Sequence, residues 1–209
     1  MSWFTINKTK SLYKLLETDY AIGKFDYDDV YFYHKNSSGS ADLETGYVLV
    51  QGSPIKLCKV QRDYKTELAE FHRGIIALLA LYLLTVSRKS SFPSRDEMKK
   101  LLERDEINIH SAEMILKNVL KSGSFSVGEE KRNRIIMEAI AAGYRISYIN
   151  ESNEKLLIAD KKLLNQAMLV MCHYGLLIEE FECLLSKWRK KLNITEEEEE
   201  VLRKVYLGK

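Results

Sequence analysis

The sequence predicts an α+β protein that is predominantly helical, with a small N-terminal antiparallel β unit followed by a larger helical domain. The 209 residues include only 2 prolines and 10 glycines, where average usage would give roughly 10 and about 15. Residues 28–61 are rich in aromatic and β-branched side chains, which favour strands. From residue 63 onward, apolar residues recur at helical spacing. We therefore expect a domain over 1–62 and a second over 63–209.

The first domain begins with a predicted short helix over residues 8–20. Leu12, Leu15 and Leu16 have the spacing of one helical face, and Gly23 is a suitable stop. The strand-like segments that follow are 28–34, 46–50 and 55–60. Since four residues separate the last two of these, they should form a hairpin within a three-stranded antiparallel sheet.

The second domain is predicted to consist almost entirely of helices. The expected helices are 65–87, 94–104, 112–122, 129–142, 160–174, 176–192 and a last one from 196 to about 206. Residues 144–149 alternate and could form a short strand or an extended link.

Polar caps and glycines mark the expected ends of these helices. Ser94 and Thr195 each begin a capping box, with Glu97 and Glu198 three residues later, and Ser111 is a suitable N-cap. The expected C-terminal stops are Gly123, Gly143 and Gly175.

Residues 75–130 have the order helix, helix, turn, helix and extended segment. A winged-helix-like unit has this plan, and its third helix lies in the DNA major groove. A three-helix packing unit without any DNA function gives the same apolar pattern. A second copy of the plan is more weakly indicated after residue 131, and a simple helical bundle over 131–209 fits that part better.

The candidate recognition helix presents several polar side chains that can contact bases or phosphates. They are His110, Ser111, Lys117, Asn118 and Lys121. The usual glycine of the turn is missing, and this surface has no arginine.

A dense basic cluster near the end of the chain is a second candidate for nucleic-acid binding. Its members are Lys187, Trp188, Arg189, Lys190 and Lys191. Four cations beside an indole ring can bind phosphates and stack on a base. Alternatively, the cations complete the end of a helix, where the macrodipole favours them, and face the glutamates 196–200.

No pattern for catalysis, metal binding or cofactor binding stands out, so we expect none of these sites. The four histidines lack a nucleophile motif, and the three cysteines lack the spacing of a zinc site. A metal-dependent nuclease with a degenerate motif is the weakest reading. Asp42 and Glu44 precede a strand, but no acidic residue precedes Lys56 or Lys59 on the next one.

Charge, cysteine content and hydropathy limit the cellular compartment and the classes of partner that we expect for this protein. A net charge of +2 gives no strong basic character. The unpaired cysteines favour a reducing compartment, hence the cytoplasm. The apolar run 74–86 would be about 20 Å long as a helix, shorter than the roughly 30 Å of a bilayer core. We therefore expect no membrane partner.

The sequence therefore predicts a non-enzymatic intracellular regulator or adaptor, with DNA as a candidate ligand through the winged-helix-like unit. The alternative is a protein-interaction or oligomerisation module, with another protein or a second copy as its partner.

Overall fold

The computed structural model describes residues 7–24, 29–62, 64–90, 108–121 and 123–209. Of these residues, 43% are helical and 34% lie in strands. The chain is a mixed α+β protein with a five-stranded antiparallel sheet and a four-stranded mixed sheet. The prediction of a predominantly helical chain is therefore wrong, because several apolar segments pair as strands.

The helices among the described residues are α1 (Asn7–Leu16), α2 (Gly74–Lys89), α3 (Ile109–Val119), α4 (Leu164–Leu192) and α5 (Glu196–Leu207). The strands of the first sheet are β1 (Tyr20–Lys24), β2 (Val30–Lys35), β3 (Ala41–Val50), β4 (Ile55–Gln61) and β5 (Tyr64–Phe71). Those of the second sheet are β6 (Phe125–Val127), β7 (Arg134–Ile140), β8 (Gly143–Ile149) and β9 (Lys155–Lys162).

The chain forms two compact units, one of which is discontinuous in sequence. Unit 1 comprises Met1–Arg88 and Lys187–Gly208, and unit 2 comprises Lys89–Ser186 together with Lys209. The chain thus leaves unit 1 at the end of α2 and returns to it within α4.

Unit 1 is built on the five-stranded sheet, whose strands follow one another in chain order. Its core lies between the sheet and the helices α1 and α2. The ring of Tyr13 on α1 stacks on Phe32 at a centroid distance of 6.1 Å. The hydroxyl of Tyr20 on β1 lies 2.9 Å from that of Thr85 on α2. Phe32 and Tyr20 are both fully buried, so these contacts fix the two helices on the same sheet face.

The opposite sheet face also has a small apolar cluster. Val48, Cys58 and Val60 are buried there, and Tyr31 packs against them. The ring of Tyr31 also stacks on Tyr33 at 5.6 Å. The alternating aromatic residues of β2 therefore divide between the two faces, as strand geometry requires.

The predicted three-stranded sheet is correct for its hairpin and incomplete at both edges. The predicted strands 46–50 and 55–60 lie in β3 and β4, which pair antiparallel. Gly23 does not end a helix, since it lies in β1 opposite Tyr31. The first turns of the helix predicted over 65–87 are instead β5, which pairs with β4. Helix-favouring residues form this strand because the open edge of β4 supplies its hydrogen-bond partners.

The last helix of unit 1 begins as the sequence predicts. The hydroxyl of Thr195 accepts a hydrogen bond from the Glu198 N–H at 3.2 Å, and the Glu198 carboxylate accepts one from the Thr195 N–H at 3.1 Å. This reciprocal capping box begins α5 as predicted.

Unit 2 contains α3, the four-stranded sheet and most of α4. The strand order is β6-β7-β8-β9, with β6 parallel to β7 and the other pairs antiparallel. The short connection 128–133 reverses the chain twice between the two parallel strands. Gly128 and Asn133 have φ values of 75° and 57°, in the left-handed region that such tight reversals use.

The helix predicted over 129–142, with its end at Gly143, is wrong. The segment predicted as a helix over 129–142 contains β7, and Gly143 begins β8 rather than closing a helix. Ile135, Ile136 and Met137 are all buried, so this strand reads as a continuous apolar run without the alternation that reveals half-buried strands. The second copy of the winged-helix plan is therefore also wrong, because it needed a helix in this segment.

Gly175 does not separate two helices, because α4 runs through it without a break. A Cβ atom at this position would lie 2.6 Å from Cδ1 of Leu120. The residue is therefore a site of close packing between α4 and the end of α3. Of the two alternatives for residues 144–149, a short strand or an extended link, the structure has the strand, as β8.

The helix predicted over 94–104, with its Ser94 cap, lies outside the described residues. Among the helices that are described, none combines the length and the apolar character needed to cross a bilayer.

Candidate functional site

The helix α3 is fixed at its N-terminus by Asn108. The Asn108 side chain accepts a hydrogen bond from the Ser111 N–H at 2.9 Å, and the Ser111 hydroxyl accepts one from the Asn108 N–H at 3.1 Å. Asn108 is thus the N-cap of α3, and Ser111, which the sequence suggested as the N-cap, is instead the N3 residue of the capping box. Its hydroxyl is engaged with the backbone, which removes it from the polar groups that α3 offers to a ligand.

The C-terminal end of α3 is held by Glu179 on α4. One oxygen of this carboxylate accepts a hydrogen bond from the Lys121 N–H at 2.6 Å and lies 2.8 Å from the Ser124 hydroxyl. The cap is Leu120, in an extended conformation, rather than the predicted Gly123. The C-terminal end of α3 is therefore held to α4, while its N-terminal end is closed by a cap within the helix itself.

We define the α3 face as the outward side of α3 together with Lys121, which follows its C-cap: His110, Met114, Lys117, Asn118 and Lys121. All of these side chains are exposed, while Ala112 and Leu116 are fully buried on the inner side. Met114 lies at the centre of the face and is 56% exposed. The α3 face thus includes four of the residues predicted for nucleic-acid contact, arranged around an apolar centre that the prediction did not include.

The charges beside the α3 face compensate one another. Lys117 Nζ lies 2.8 Å from Glu113 Oε1, one helical turn earlier. The hydrogen bond from Lys117 and its positive charge lower the pKa of Glu113. The surface is therefore mixed in sign rather than basic.

The basic cluster at the end of α4 is largely engaged within unit 1. Arg189 binds Glu199 through two hydrogen bonds of 2.7 and 3.0 Å. The indole of Trp188 contacts the Tyr82 ring edge-to-face at 6.4 Å, and Lys191 Nζ lies 5.7 Å from the Trp188 centroid. The alternative reading of this cluster, in which it faces the glutamates of the next helix, thus has direct support at Arg189.

Lys187 and Lys190 are exposed members of the same cluster. They belong to unit 1, whereas the α3 face belongs to unit 2. The two groups of predicted residues are therefore described as separate candidates, one in each unit.

A third cluster, which the sequence did not indicate, brings together Tyr20, His34, Tyr47 and Arg88 in unit 1. The imidazole of His34 lies 5.0 Å from the Tyr20 ring and 5.8 Å from the Tyr47 ring. The guanidinium of Arg88 lies over the Tyr47 ring at 5.1 Å. These residues come from β1, β2, β3 and α2, so no local spacing could have grouped them.

Asp42, the proposed nuclease carboxylate, is occupied by its own strand. It accepts hydrogen bonds from the Thr45 hydroxyl at 2.8 Å and from the Glu44 N–H at 3.0 Å. These two bonds lower the pKa of Asp42. Within the described part of the chain, no group of three or more His, Cys, Asp or Glu side chains is arranged to hold a metal ion.

Comparison with known proteins adds no relative to these observations. No family model, curated protein or solved structure matches the chain.

Proposed function

We propose that the chain is a protein-interaction module, of adaptor or regulator type, which assembles with a second copy of itself through the α3 face. The observation that carries this proposal is the position of Met114. An apolar side chain stands more than half exposed at the centre of a polar helix surface, on a helix that is capped at its N-terminus and held to α4 at its C-terminus. Interfaces are enriched in methionine and have apolar centres with polar rims, and the α3 face has this composition.

Charge complementarity supports a second copy as the partner. Glu113 and Lys117 are one turn apart on the same side of α3. Two antiparallel copies of the helix would place Glu113 of one opposite Lys117 of the other, with the two Met114 side chains close to the twofold axis. A contact of this kind is isologous, so each copy supplies the same patch.

Sedimentation velocity over a range of concentrations tests this assembly. We expect a monomer–dimer equilibrium for the wild type, and a Kd raised at least about tenfold by Met114→Lys, because a charge would then be buried at the centre of the contact. The matched control is Leu157→Lys, since Leu157 is 52% exposed in the same unit but belongs to β9 and not to the α3 face.

Charge reversal gives an independent check of the antiparallel arrangement. Glu113→Lys and Lys117→Glu should each weaken the dimer, and the double variant should restore it because the pairing is then exchanged between copies. A chain that stays monomeric at every concentration, or a Leu157→Lys variant as weak as Met114→Lys, would contradict the proposal.

Double-stranded DNA is the second candidate ligand, favoured by the exposed Lys117 and Asn118 on α3 and the exposed Lys121 just after its C-cap. Phosphate contacts release counterions, so affinity for a duplex should fall steeply as salt is raised. The variant Lys117→Gln/Lys121→Gln should lower the slope of log K against log salt by about 0.9 for each lost contact.

The methionine separates the two candidates. Met114→Lys should weaken self-association but leave DNA affinity unchanged or raised, since it adds a cation. A duplex that does not bind even at low salt would exclude the DNA candidate.

A further inference from the structure

The cluster of Tyr20, His34, Tyr47 and Arg88, here called the latch cluster, holds the last turn of α2 on the sheet of unit 1. Thr85 donates a hydrogen bond to the Leu81 carbonyl at 2.7 Å, which uses its one hydroxyl hydrogen. The Tyr20 hydroxyl, 2.9 Å away, therefore donates to the Thr85 oxygen. Three contacts meet at this point: the hydrogen bond between Tyr20 and Thr85, the packing of rings around His34, and the Arg88 guanidinium over the Tyr47 ring.

His34 occupies an irregular point of the sheet. Tyr33 pairs with Gly46, whereas Lys35 pairs with Ala41, so β3 has an expanded bulge opposite His34. Bulges redirect the side chains around them. The imidazole is consequently only half-buried, within reach of solvent protons while packed against two tyrosine rings.

The charged groups around His34 come from each element packed against it. Arg88 is on α2, Asp42 is in the bulge of β3 and Asp19 precedes β1, while the neighbouring phenols are Tyr20 and Tyr47. Burial, and then the Arg88 charge, lower the pKa of His34, and the two carboxylates oppose this effect more weakly. The neutral imidazole is therefore the form that fits the closed cluster.

The buried hydroxyl of Tyr47 also raises the free energy of the closed cluster. Its side chain is fully buried, and its hydroxyl has no hydrogen-bond partner in the described structure. A buried polar group without a partner costs free energy that hydration would return. Movement of α2 away from the sheet would let water reach this hydroxyl. Its hydration therefore favours the open state.

We propose that His34 acts as an acid-sensitive latch, which holds the C-terminal turn of α2 on the sheet when neutral and releases it when protonated. Protonation places a second cation beside Arg88 at a site with limited solvation, which raises the free energy of the closed cluster relative to the open one. Arg88 is the last residue of unit 1 before the chain enters unit 2. The latch therefore acts on the segment that connects the two units.

The direction of the pH response follows from the pKa of His34 in the two states. Its pKa is lowered in the closed state and rises towards the ordinary value of 6.5 when α2 moves away, because the Arg88 charge and part of the burial are then removed. Below this value the open state binds more protons, so opening becomes more favourable as the pH falls. Above it both states are neutral, and the closed state does not depend on this group.

Hydrogen exchange of the amides in the last two turns of α2 measures the opening. After correction for intrinsic exchange, we expect the opening equilibrium of the wild type to rise several-fold between about pH 7.5 and about pH 5.5, with a ceiling of about tenfold set by one proton. His34→Gln should abolish this rise. The matched control His72→Gln changes an exposed histidine of the same unit and should retain it.

A second variant keeps the test independent of the fold of His34→Gln. Arg88→Gln changes an exposed side chain and removes the like charge, so the rise towards low pH should become smaller. Equal protection of these amides at both pH values in the wild type, or an undiminished rise in His34→Gln, would overturn the latch. Either result leaves the proposed self-association through α3 untouched.

Discussion

Replacement of Arg203 by methionine should destabilise unit 1 by about 3–5 kcal/mol, the usual cost of breaking a buried ion pair from one side. Arg203 on α5 is only 5% exposed. Its guanidinium lies 2.9 Å from Glu199 and 3.3 Å from Glu200, both of which are largely buried. Methionine fills much of the same volume but removes the arginine that Glu200 pairs with and leaves Glu199 with only the exposed Arg189 as a counter-charge. Urea denaturation followed by the fluorescence of Trp188, which lies in unit 1, measures the loss.

The compensating variant tests whether the loss is electrostatic. Adding Glu199→Gln and Glu200→Gln to Arg203→Met removes the uncompensated charges, so most of the stability should return. Arg189 then loses its partner Glu199, but it is exposed and solvated, so the added cost is small. If the triple variant is no more stable than Arg203→Met alone, the network is not what holds α5 in place.

The second large effect is expected at Gly46, where Gly46→Ala should cost about 3 kcal/mol or more. A Cβ atom here would collide with the carbonyl oxygen of Phe32 on the adjacent strand and lie 3.0 Å from Cα of Tyr33. Both obstacles are backbone atoms of a paired strand, so the β2–β3 ladder itself would have to shift. The same denaturation experiment reports the change.

Gly123→Ala is the matched control for this substitution. Nothing lies within 4 Å of the position that its Cβ would occupy, and its φ is not positive. At such a site the substitution should be neutral or stabilising by about 0.5 kcal/mol, because it reduces the entropy of the unfolded chain. Similar losses for the two alanine variants would show that the close approach to Phe32 is not the cause.

The parts of the fold that the sequence predicted are those with a local chemical signature. The Thr195 capping box needs only a hydroxyl and a carboxylate three residues apart, and it is present as expected. The β3–β4 hairpin was visible from its alternation and its turn. These signals arise within a few residues, so they do not depend on the rest of the chain.

The errors occur where long-range contacts override local preference. β5 is made of helix-favouring residues and exists because β4 offers an open edge. β7 is buried on both faces, so its apolar run lacks the alternation of a half-buried strand. Gly175 is typical of a helix end, yet its function is to admit the side chain of Leu120.

The candidate sites also differ in whether they depend on local spacing or on long-range contacts. The outward side of α3 could be read from helical spacing, and most of its polar residues are indeed exposed. The role of Ser111 in the capping box depends on where the helix begins, which spacing alone leaves uncertain by a few residues. The latch cluster joins four elements through the pairing register, and that register is not encoded in any short segment.

The discontinuity of unit 1 has a consequence for the synthesis of the protein. Translation delivers the sheet and α2 first, but Leu202, Arg203 and Tyr206, which complete the same unit, emerge only with α5 at the end. All of the described strands of unit 2 are made in the interval. The sheet is therefore synthesised well before some of the residues that complete its unit, and the unit whose synthesis begins first is completed after all of the described strands of the other.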